Sequence, residues 1–362
     1  MKSNVRTNTI LITGLARLWS GVISPSRELV RRGFNVVLFY FEKNKEFTAD
    51  TGNISVIKAS SVSIVNLAKF LYLLIRYRPR HVEVYFHTGK WIVLIAQVLV
   101  SRLIGVPVVS ICTGNEILNY PHPRCVFNLA IRVVFQMSRA IVVKELYMRD
   151  TIIKYGLAKD DKIHFMSNKI AIGTDPGYVR FDKVILYLNL FKKYRRIDLI
   201  VKSASLIREE FPDARFLLVG AGRYTTYEHE MAELAKSLKV DDVVSFLPYT
   251  SDPKAYFEKA TIFVLPADIV YCNNALLEAM ERGVVPVVAD VQGAELIVED
   301  GVSGLRVPQN AVEIANAIKR LLADESLRLR LAQGARNKIK AEFDEQIRVD
   351  FLGNLYSCKV WK

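Results

Sequence analysis

Residues 264–307 read VLPADIVYCNNALLEAMERGVVPVVADVQGAELIVEDGVSGLRV, and this stretch decides the fold. An apolar strand leads into a polar loop that contains Asp268, Asn273 and Asn274, and a helix is predicted to begin at Ala275. Asn is a favoured residue at the N-cap of a helix. The backbone N–H groups at a helix N-terminus carry partial positive charge, so the loop and the first helical turn are expected to bind an anion such as a phosphate.

Glu278 is predicted to lie in about the first turn of the same helix, near the mouth of the same site. A carboxylate at that place can accept hydrogen bonds from the two hydroxyl groups of a ribose. The same pattern also fits an ordinary strand–helix–strand unit with a capping Asn and an acidic residue near the helix start. The residues alone leave both interpretations open.

Apolar strands alternate with helical patterns along the whole chain. This order is typical of α/β folds, in which doubly wound parallel sheets are covered by helices on both faces. We predict a first domain over residues 1–168, a linker over residues 169–182 and a second domain over residues 183–343. A last helix within residues 344–362 can pack back on the first domain. Ligands of such sheets bind beyond the carboxyl ends of the strands, so a site is expected in the cleft between the two domains.

The positive charge of the chain is confined to its first half. The 362 residues carry a net charge of +13. Residues 1–165 contain 23 Lys and Arg against 10 Asp and Glu, whereas residues 166–362 contain 27 of each kind. Such asymmetry indicates a partner with negative charge, such as a nucleic acid, an anionic membrane surface or a phosphorylated substrate. A solubilising surface without a partner is the alternative.

No segment of the sequence has the pattern of a membrane-spanning or targeting segment. The longest uncharged apolar run begins at Trp91 and ends near Val100, about half of the roughly 20 residues that a spanning helix needs. The first ten residues lack the apolar centre of a signal peptide. A cytoplasmic location is therefore expected, with peripheral contact at the inner face of the membrane left open. The four scattered Cys residues predict reduced thiols rather than disulfides or a zinc site.

The second half of the chain resembles glycosyltransferase family 4. The residues that carry the likeness are PDARFLLVGAG at 212–222, FVLPAD at 263–268, NNALLEAMERGVVPVVADVQG at 273–293 and VEDGVSGLRV at 298–307. The first half agrees more loosely, and its matching segments are 87–89, 105–116 and 144–168. The resemblance implies the GT-B fold, with two Rossmann-like domains that face a central cleft. It also implies transfer from a nucleotide-diphosphate sugar, with retention of configuration and without a metal or other cofactor.

Three positions depart from the pattern of that family. The first of two glutamates that the family spaces seven residues apart falls on Val270, and the second falls on Glu278. The phosphate-binding Arg of the family falls on Leu190, and a common His of the first domain falls on Thr113. These changes allow a different donor, a relocated set of contacts or a domain that no longer catalyses.

The resemblance and the local patterns together give a set of candidate site residues. The cations expected to act on the leaving diphosphate are Lys193 and Arg195, with Lys192 and Arg196 close by, and His87 is a candidate contact for the transferred sugar. The donor is expected to contact Glu278, Asn273, Asn274, Ala275, Leu276, Gly220, Gly222 and Asp268. On the acceptor side the candidates are Gly21, Thr113 and Glu116, and no metal ligands are expected.

Several of these candidates have a structural alternative. Gly14 and Gly21 flank a loop that could approach the substrates, but a plain turn also needs glycine. The pair Gly220 and Gly222 lacks the third glycine of a dinucleotide fingerprint, and His87 could equally be a structural histidine.

These observations favour a retaining glycosyltransferase of hexosyl type that acts on a lipid-linked or surface glycan. The leading alternative is a non-catalytic partner subunit that binds a nucleotide sugar or a glycan. A nucleic-acid-binding protein is less favoured, because no recognised nucleic-acid module accompanies the basic charge. The basic segment with Arg76, Arg78 and Arg80 is the predicted contact for an anionic membrane, unless it is only the solvated end of a core helix.

Overall fold

Two parallel β-sheets organise the chain, and each forms the centre of its own unit. The computed structural model describes residues 7–15, 20–41, 54–60, 63–86, 91–112, 117, 120–123, 125–173, 182–222, 225–250 and 252–357. One unit comprises Met1–Asn168 together with Glu345–Lys362, and the other comprises Lys169–Asp344. The predicted fold class, α/β with doubly wound parallel sheets, is confirmed.

The first unit is built on a parallel sheet with helices on both of its faces. Its described strands are β1 Thr9–Leu15, β2 Asn35–Tyr40, β3 Ser55–Lys58, β4 His81–Phe86, β5 Val108–Cys112, β6 Ala140–Val143 and β7 Ile163–Phe165. Their order across the sheet is β3-β2-β1-β4-β5-β6-β7, and the pairings are parallel. Its described helices are α1 Ser20–Arg31, α2 Ser63–Tyr77, α3 Trp91–Leu103, α4 Cys125–Met137, α5 Leu146–Lys154 and α13 Glu345–Tyr356.

Successive residues of these strands enter two separate cores, because neighbouring side chains of a strand point to opposite faces. Leu11 and Val82 belong to a core with residues of α2, α3, α4 and α5. Ile10 and Ile12 belong to the other core, which contains residues of α1 and α13. The sheet is therefore buried on both faces, as its continuous apolar strands predict.

The second unit repeats this plan with a smaller sheet. Its described strands are β8 Val184–Leu188, β9 Arg215–Ala221, β10 Val244–Pro248, β11 Ile262–Leu265, β12 Val285–Ala289 and β13 Leu305–Val307, arranged in the parallel order β10-β9-β8-β11-β12-β13. Its described helices are α6 Ile197–Ile207, α7 Thr225–Ser237, α8 Lys254–Lys259, α9 Asn274–Glu281, α10 Ala294–Ile297, α11 Ala311–Ala323 and α12 Glu325–Glu342. Strands and helices share one continuous apolar core.

The sequence patterns did not predict β7, α10 and β13, which have three or four residues each, although they did predict the four-residue strands β3, β6 and β11. The apolar run from Trp91 forms α3, which has 13 residues. No helix among the described residues combines the length and the apolar character that crossing a membrane requires. Cys112 and Cys272 are buried, and neither forms a disulfide within the described part of the chain.

The segment predicted as a linker begins inside the second unit. The Ile170 N–H donates to the Phe343 carbonyl at 2.9 Å, and the Lys169 ammonium lies 4.8 Å from the centre of the Phe343 ring. The remainder of the predicted linker, residues 174–181, lies outside the described residues. At the other end of this unit, Glu345 begins the helix that belongs to the first unit.

A buried polar network ties α13 to the central strand β4. The Tyr356 hydroxyl donates to a carboxyl oxygen of Glu83, and the Arg348 guanidinium donates to the Tyr85 hydroxyl at 3.0 Å. The His81 ring contacts the Tyr356 backbone carbonyl at 3.1 Å. Burial and the neighbouring Glu83 raise the pKa of both tyrosines, so their hydroxyl groups stay protonated donors. The network fixes the helix at one position on the sheet, because each buried polar group needs its partner.

We expect Tyr356→Phe to destabilise the first unit by about 1–3 kcal/mol, because it removes a hydrogen bond from the buried Glu83. The three tryptophans, Trp19, Trp91 and Trp361, all belong to this unit, so tryptophan fluorescence during urea unfolding reports it. Tyr72→Phe is the matched control, since Tyr72 is exposed. Equal unfolding midpoints for Tyr356→Phe and the parent would contradict the role of the network.

Candidate functional site

The second sheet has a topological switch point between β8 and β11. From β8 the chain continues to β9 and β10 on one side of the sheet, whereas β11 is followed by β12 and β13 on the other side. The loops that leave the carboxyl ends of β8 and β11 therefore run in opposite directions and open a crevice between them. In sheets of this kind the crevice at the switch point is the usual binding site.

Hydrogen bonds join the two loops that border this crevice. The Asp268 N–H donates to the Tyr194 carbonyl at 2.9 Å. The Asp268 carboxylate accepts a hydrogen bond from the Gln309 side chain at 3.0 Å and lies 3.7 Å from the Arg196 guanidinium. Through these contacts Asp268 links the two loops, and its predicted contact with the donor stays a prediction.

The N-terminus of α9 opens into this region with polar groups that have no partner among the described residues. The Asn273 side chain caps the helix, because its Oδ1 accepts from the Ala275 N–H at 2.8 Å. The N–H groups of Asn274 and Leu276 have no acceptor within the helix, as is general for a first turn. In addition, Nδ2 of Asn273 and Oδ1 of Asn274 are buried and unpaired within the described chain. Since buried polar atoms are normally hydrogen-bonded, these atoms indicate a place where a polar ligand binds.

Arg195 brings a positive charge to the same loops. Its guanidinium lies 5.1 Å from the centre of the Tyr194 ring and 6.0 Å from that of Tyr271. One terminal nitrogen of this guanidinium is buried and finds no hydrogen-bond acceptor among the described residues. Two aromatic rings thus position a cation that still has a hydrogen bond to donate, which is the arrangement expected of a phosphate contact.

The other cations of this cluster differ in their surroundings. Lys193 is exposed, and the Lys192 ammonium lies 5.6 Å from the centre of the Tyr194 ring. Arg196 forms two hydrogen bonds with Asp198, at 3.1 and 3.3 Å, and the pKa of Asp198 is lowered because these bonds and the positive charge outweigh its burial. The Arg196 guanidinium is therefore engaged in an ion pair within the protein, and Arg195 is the cation best placed to contact a ligand.

Glu278 lies in the second turn of α9, not in the first turn as predicted. Burial raises the pKa of its carboxyl group, Arg282 opposes the increase and Glu281 adds to it. A carboxylate kept partly buried at a polar site indicates a binding or catalytic group. Glu281 itself is engaged, since it accepts a hydrogen bond from the Gly173 N–H at 2.9 Å.

Val270, the substituted position of the family pattern, lies in the core of the second unit and is fully buried. Its N–H donates to the Gln292 carbonyl at 3.1 Å. A Cβ atom on Gly293 would lie 2.2 Å from the Val270 carbonyl oxygen, and Gly293 has a φ of +90°. Glycine is therefore required at position 293. The close contact of the two backbones holds the loop in place, and the Val270 side chain packs among apolar residues.

Close packing against the backbone requires a glycine at position 220. A Cβ atom on Gly220 would lie 1.9 Å from the Asn189 carbonyl oxygen, so the end of β9 packs directly against the loop after β8. The N–H of Gly222 donates to the Glu228 carboxylate at 2.6 Å. Both glycines border the site, and the Gly222 N–H is engaged by Glu228 within the fold.

The predicted acceptor-side residues lie in or near the first unit. Gly21 falls inside α1, so it does not end a loop as predicted. His87, Thr113 and Glu116 lie outside the described residues. Within the residues that are described, no three His, Cys, Asp or Glu side chains form a group that could hold a metal ion.

Three contributors to the site were absent from the sequence prediction: Tyr194, Tyr271 and Gln309. Two sequence features could have identified the tyrosines as site residues. Tyr194 lies between two cations, and Tyr271 lies inside the polar loop. Gln309 gives no signal, because it reaches Asp268 only through the tertiary fold.

Residues 179–338 match the family model described as glycosyl transferases group 1. An uncharacterised glycosyltransferase of Haemophilus influenzae is 28% identical over 43% of this chain and 44% of its own length. An alpha-D-kanosaminyltransferase of Streptomyces kanamyceticus is 22% identical over 71% of this chain and 72% of its own length. The chain spans about half the length of the first curated relatives that it matches.

Solved structures show the same fold over both units. A glycosyltransferase of Rickettsia africae has a TM-score of 0.78 at 16% identity and covers 97% of this chain and 98% of its own. The HepE protein of Anabaena in complex with UDP has a TM-score of 0.78 at 15% identity and covers 96% of this chain and 99% of its own. The resemblance predicted from the sequence and the predicted GT-B fold class are confirmed.

Glu278→Gln is expected to stabilise the ligand-free protein at neutral pH. Because burial raises the folded pKa of Glu278, the folded state binds more protons than the unfolded state, and its stability falls as pH rises through that window. A neutral Gln avoids this cost. The gain should shrink as the pH is lowered toward about 4.3, the ordinary glutamate value.

Thermal unfolding followed by circular dichroism between pH 5 and pH 8 measures this difference. Glu233→Gln is the control, because Lys236 lowers the pKa of Glu233 and its substitution should give no gain. A pH-independent difference, or a loss of stability in Glu278→Gln at pH 8, would show that Glu278 is not strained by burial.

Proposed function

Since residues 179–338 are similar to group 1 glycosyl transferases, we propose that this protein transfers a sugar from a nucleotide-diphosphate sugar to an acceptor. The observation that carries the proposal is the meeting of two features at the switch point between β8 and β11. The first is the helix N-terminus with its unpaired Asn273 and Asn274 atoms, and the second is the unpaired guanidinium nitrogen of Arg195.

The diphosphate of the donor binds at the N-terminus of α9. The N–H groups of Asn274 and Leu276 and the partial positive charge of the helix favour an anion there. Arg195 donates a charge-assisted hydrogen bond to the same diphosphate, and the exposed Lys193 adds a more mobile charge. As the bond from the sugar to the phosphate breaks, negative charge grows on the leaving diphosphate, and these fixed groups stabilise it.

Glu278 accepts hydrogen bonds from the ribose hydroxyls of the donor. Its raised pKa supports this role, because an incompletely solvated carboxylate gains more from two hydroxyl donors than a solvated one does. Uridine is the base to test first, since the HepE structure of Anabaena is a complex with UDP.

The reaction proceeds with retention of configuration. The acceptor oxygen attacks the anomeric carbon from the side on which the diphosphate leaves, so a new carbon–oxygen bond forms as the bond to phosphate breaks. The acceptor proton passes to the leaving phosphate oxygen. The chemistry needs no cofactor besides the nucleotide sugar, because Arg195, Lys193 and the α9 N-terminus supply the positive charge. The transferred group is a hexose, as the resemblance implies, and His87 is its proposed contact in the first unit.

The acceptor is a lipid-linked or otherwise anionic glycan, met at the cytosolic face of a membrane. The excess of 13 positive charges before residue 166 supports this choice, because the family uses that half of the chain for the acceptor.

Glu278→Ala should weaken UDP binding by about 1–3 kcal/mol, the usual range for a lost hydrogen-bonding partner of a charged group. Isothermal titration with UDP measures it. Glu233→Ala, an exposed glutamate paired with Lys236 on the surface helix α7, is the matched control. Unchanged affinity in Glu278→Ala would contradict the ribose assignment.

Replacing Lys193 and Arg195 together with Ala should lower kcat by about 10²–10³-fold and reduce donor binding much less, because the charge that they neutralise grows in the transition state. Arg208→Ala is the control, since Arg208 pairs with Asp242 away from these loops. Steady-state release of the corresponding nucleoside diphosphate from a panel of UDP-, GDP- and ADP-sugars gives the rates. Equal kinetics would place the phosphate contact elsewhere, and binding without turnover by the parent across the panel would favour the non-catalytic subunit.

A further inference from the structure

Three neighbouring helices of the first unit cover one face of its sheet. Helix α3 packs against α2 on one side and against α4 on the other. Their inward residues, such as Phe70, Leu94 and Ile131, fill the same core. Their outward residues form a single surface, which we call the three-helix face.

Apolar residues form the outward stripe of α2. Ile64 is 76% exposed and Ile75 is 64% exposed, and Leu71 is also exposed between them. Their separations of seven and four residues bring them to one side of a helix. Tyr72 is exposed beside this stripe.

Helices α3 and α4 continue the apolar surface. In α3, Ile92 is 65% exposed and Leu103 is 85% exposed, with the exposed Leu99 between them at the same spacing as in α2. In α4, Val126 and Leu129 are exposed. Scattered exposed apolar residues are normal, but three adjacent helices with outward apolar stripes are typical of an interaction surface.

The charge of the three-helix face has one sign. No Asp or Glu occurs in α2, α3 or α4, whereas Lys69, Arg76, Arg102 and Arg132 are all exposed on them. Over residues 61–140 the chain has nine Lys and Arg and two Asp and Glu, and one of the two, Glu83, is buried. In α2, Lys69 and Arg76 are seven residues apart and lie on one side of the helix, about a third of a turn from the apolar stripe.

We infer that the three-helix face docks on an anionic lipid bilayer. The outward Ile, Leu and Val side chains enter the boundary between headgroups and acyl chains, the helices lie flat on the surface, and the cations contact lipid phosphates. A second copy of the chain fits this face less well, because a symmetric contact would bring basic residues together without any acidic partner. The inference goes beyond the sugar-transfer site, which is built from residues of the other unit.

The arginines that the sequence suggested for this contact are not equivalent. Arg76, in the last turn of α2, and Arg78 are exposed. Arg80 is half-buried, and its guanidinium donates to the Ser357 carbonyl at 3.2 Å. The membrane contact thus uses Arg76 and Arg78 beside the apolar stripe, and Arg80 serves the fold.

Co-sedimentation with vesicles tests the inference. The parent should pellet with vesicles of phosphatidylglycerol and phosphatidylcholine at least tenfold more than with pure phosphatidylcholine, and the binding should weaken as salt rises. The double variant Ile75→Glu and Leu103→Glu should lose at least tenfold in binding to the anionic vesicles. Val312→Glu in the second unit is the control, since Val312 is also an exposed apolar residue and should bind like the parent.

Tryptophan fluorescence checks that the double variant is folded, and titration with UDP measures ligand binding by the second unit separately. Failure of the membrane inference is therefore distinguishable from failure of the proposed sugar transfer. Equal pelleting of parent and double variant would overturn it. So would a parent that stays in the supernatant with both kinds of vesicle. A parent that is a dimer by light scattering and that the double variant converts to a monomer would assign the three-helix face to a second copy instead.

Discussion

The parallel pairing of β8 with β11 at the centre of the second sheet determines where every polar group of the candidate site lies. Because the two strands run in the same direction, their carboxyl ends meet at one edge, and the loops after them meet there too. Tyr194 belongs to one loop and Asp268 to the other, and the hydrogen bond between their backbones keeps the loops together. Arg195 and the N-terminus of α9 face a common region for this reason, although about 80 residues separate them in the chain.

Close backbone contacts on both sides of this edge hold the loops in place. Gly220 lets the end of β9 approach the Asn189 carbonyl, and Gly293 lets the chain after β12 approach the Val270 carbonyl. With the second contact in place, the Val270 side chain points into the core. The apolar side chain of Val270 therefore fits the fold. The polar groups available to a ligand at the candidate site belong to Asn273, Asn274, Arg195 and Glu278.

Local patterns predicted the parts of the structure that depend on neighbouring residues. A capping Asn was predicted for a helix that begins at Ala275, because capping involves only the next two or three residues; the helix begins one residue earlier, and Asn273 is its cap. The parallel sheets followed from the alternation of apolar strands and helices. The sequence patterns did not separate Arg195 from Arg196. Asp198, which pairs with Arg196, is only two residues away, but the Tyr271 ring beside Arg195 is distant in the chain. Elements such as β13 and α10 contain too few positions for a period to be recognised, whereas the equally short β6 and β11 were predicted because all of their residues are apolar.

Helix α13 completes the core of the first unit, although the whole second unit precedes it in the chain. During synthesis the residues of β1 and β2 leave the ribosome before the second unit is made, whereas Val349, Leu352 and Tyr356, which share a core with them, are made after it. About 310 residues separate the end of β2 from Val349, so at about 5–20 residues per second the delay is roughly 15–60 s. The second unit is contiguous and can fold within that interval. One apolar face of the first unit consequently stays exposed in the nascent chain until α13 is made, and a chaperone would bind the nascent chain at that face.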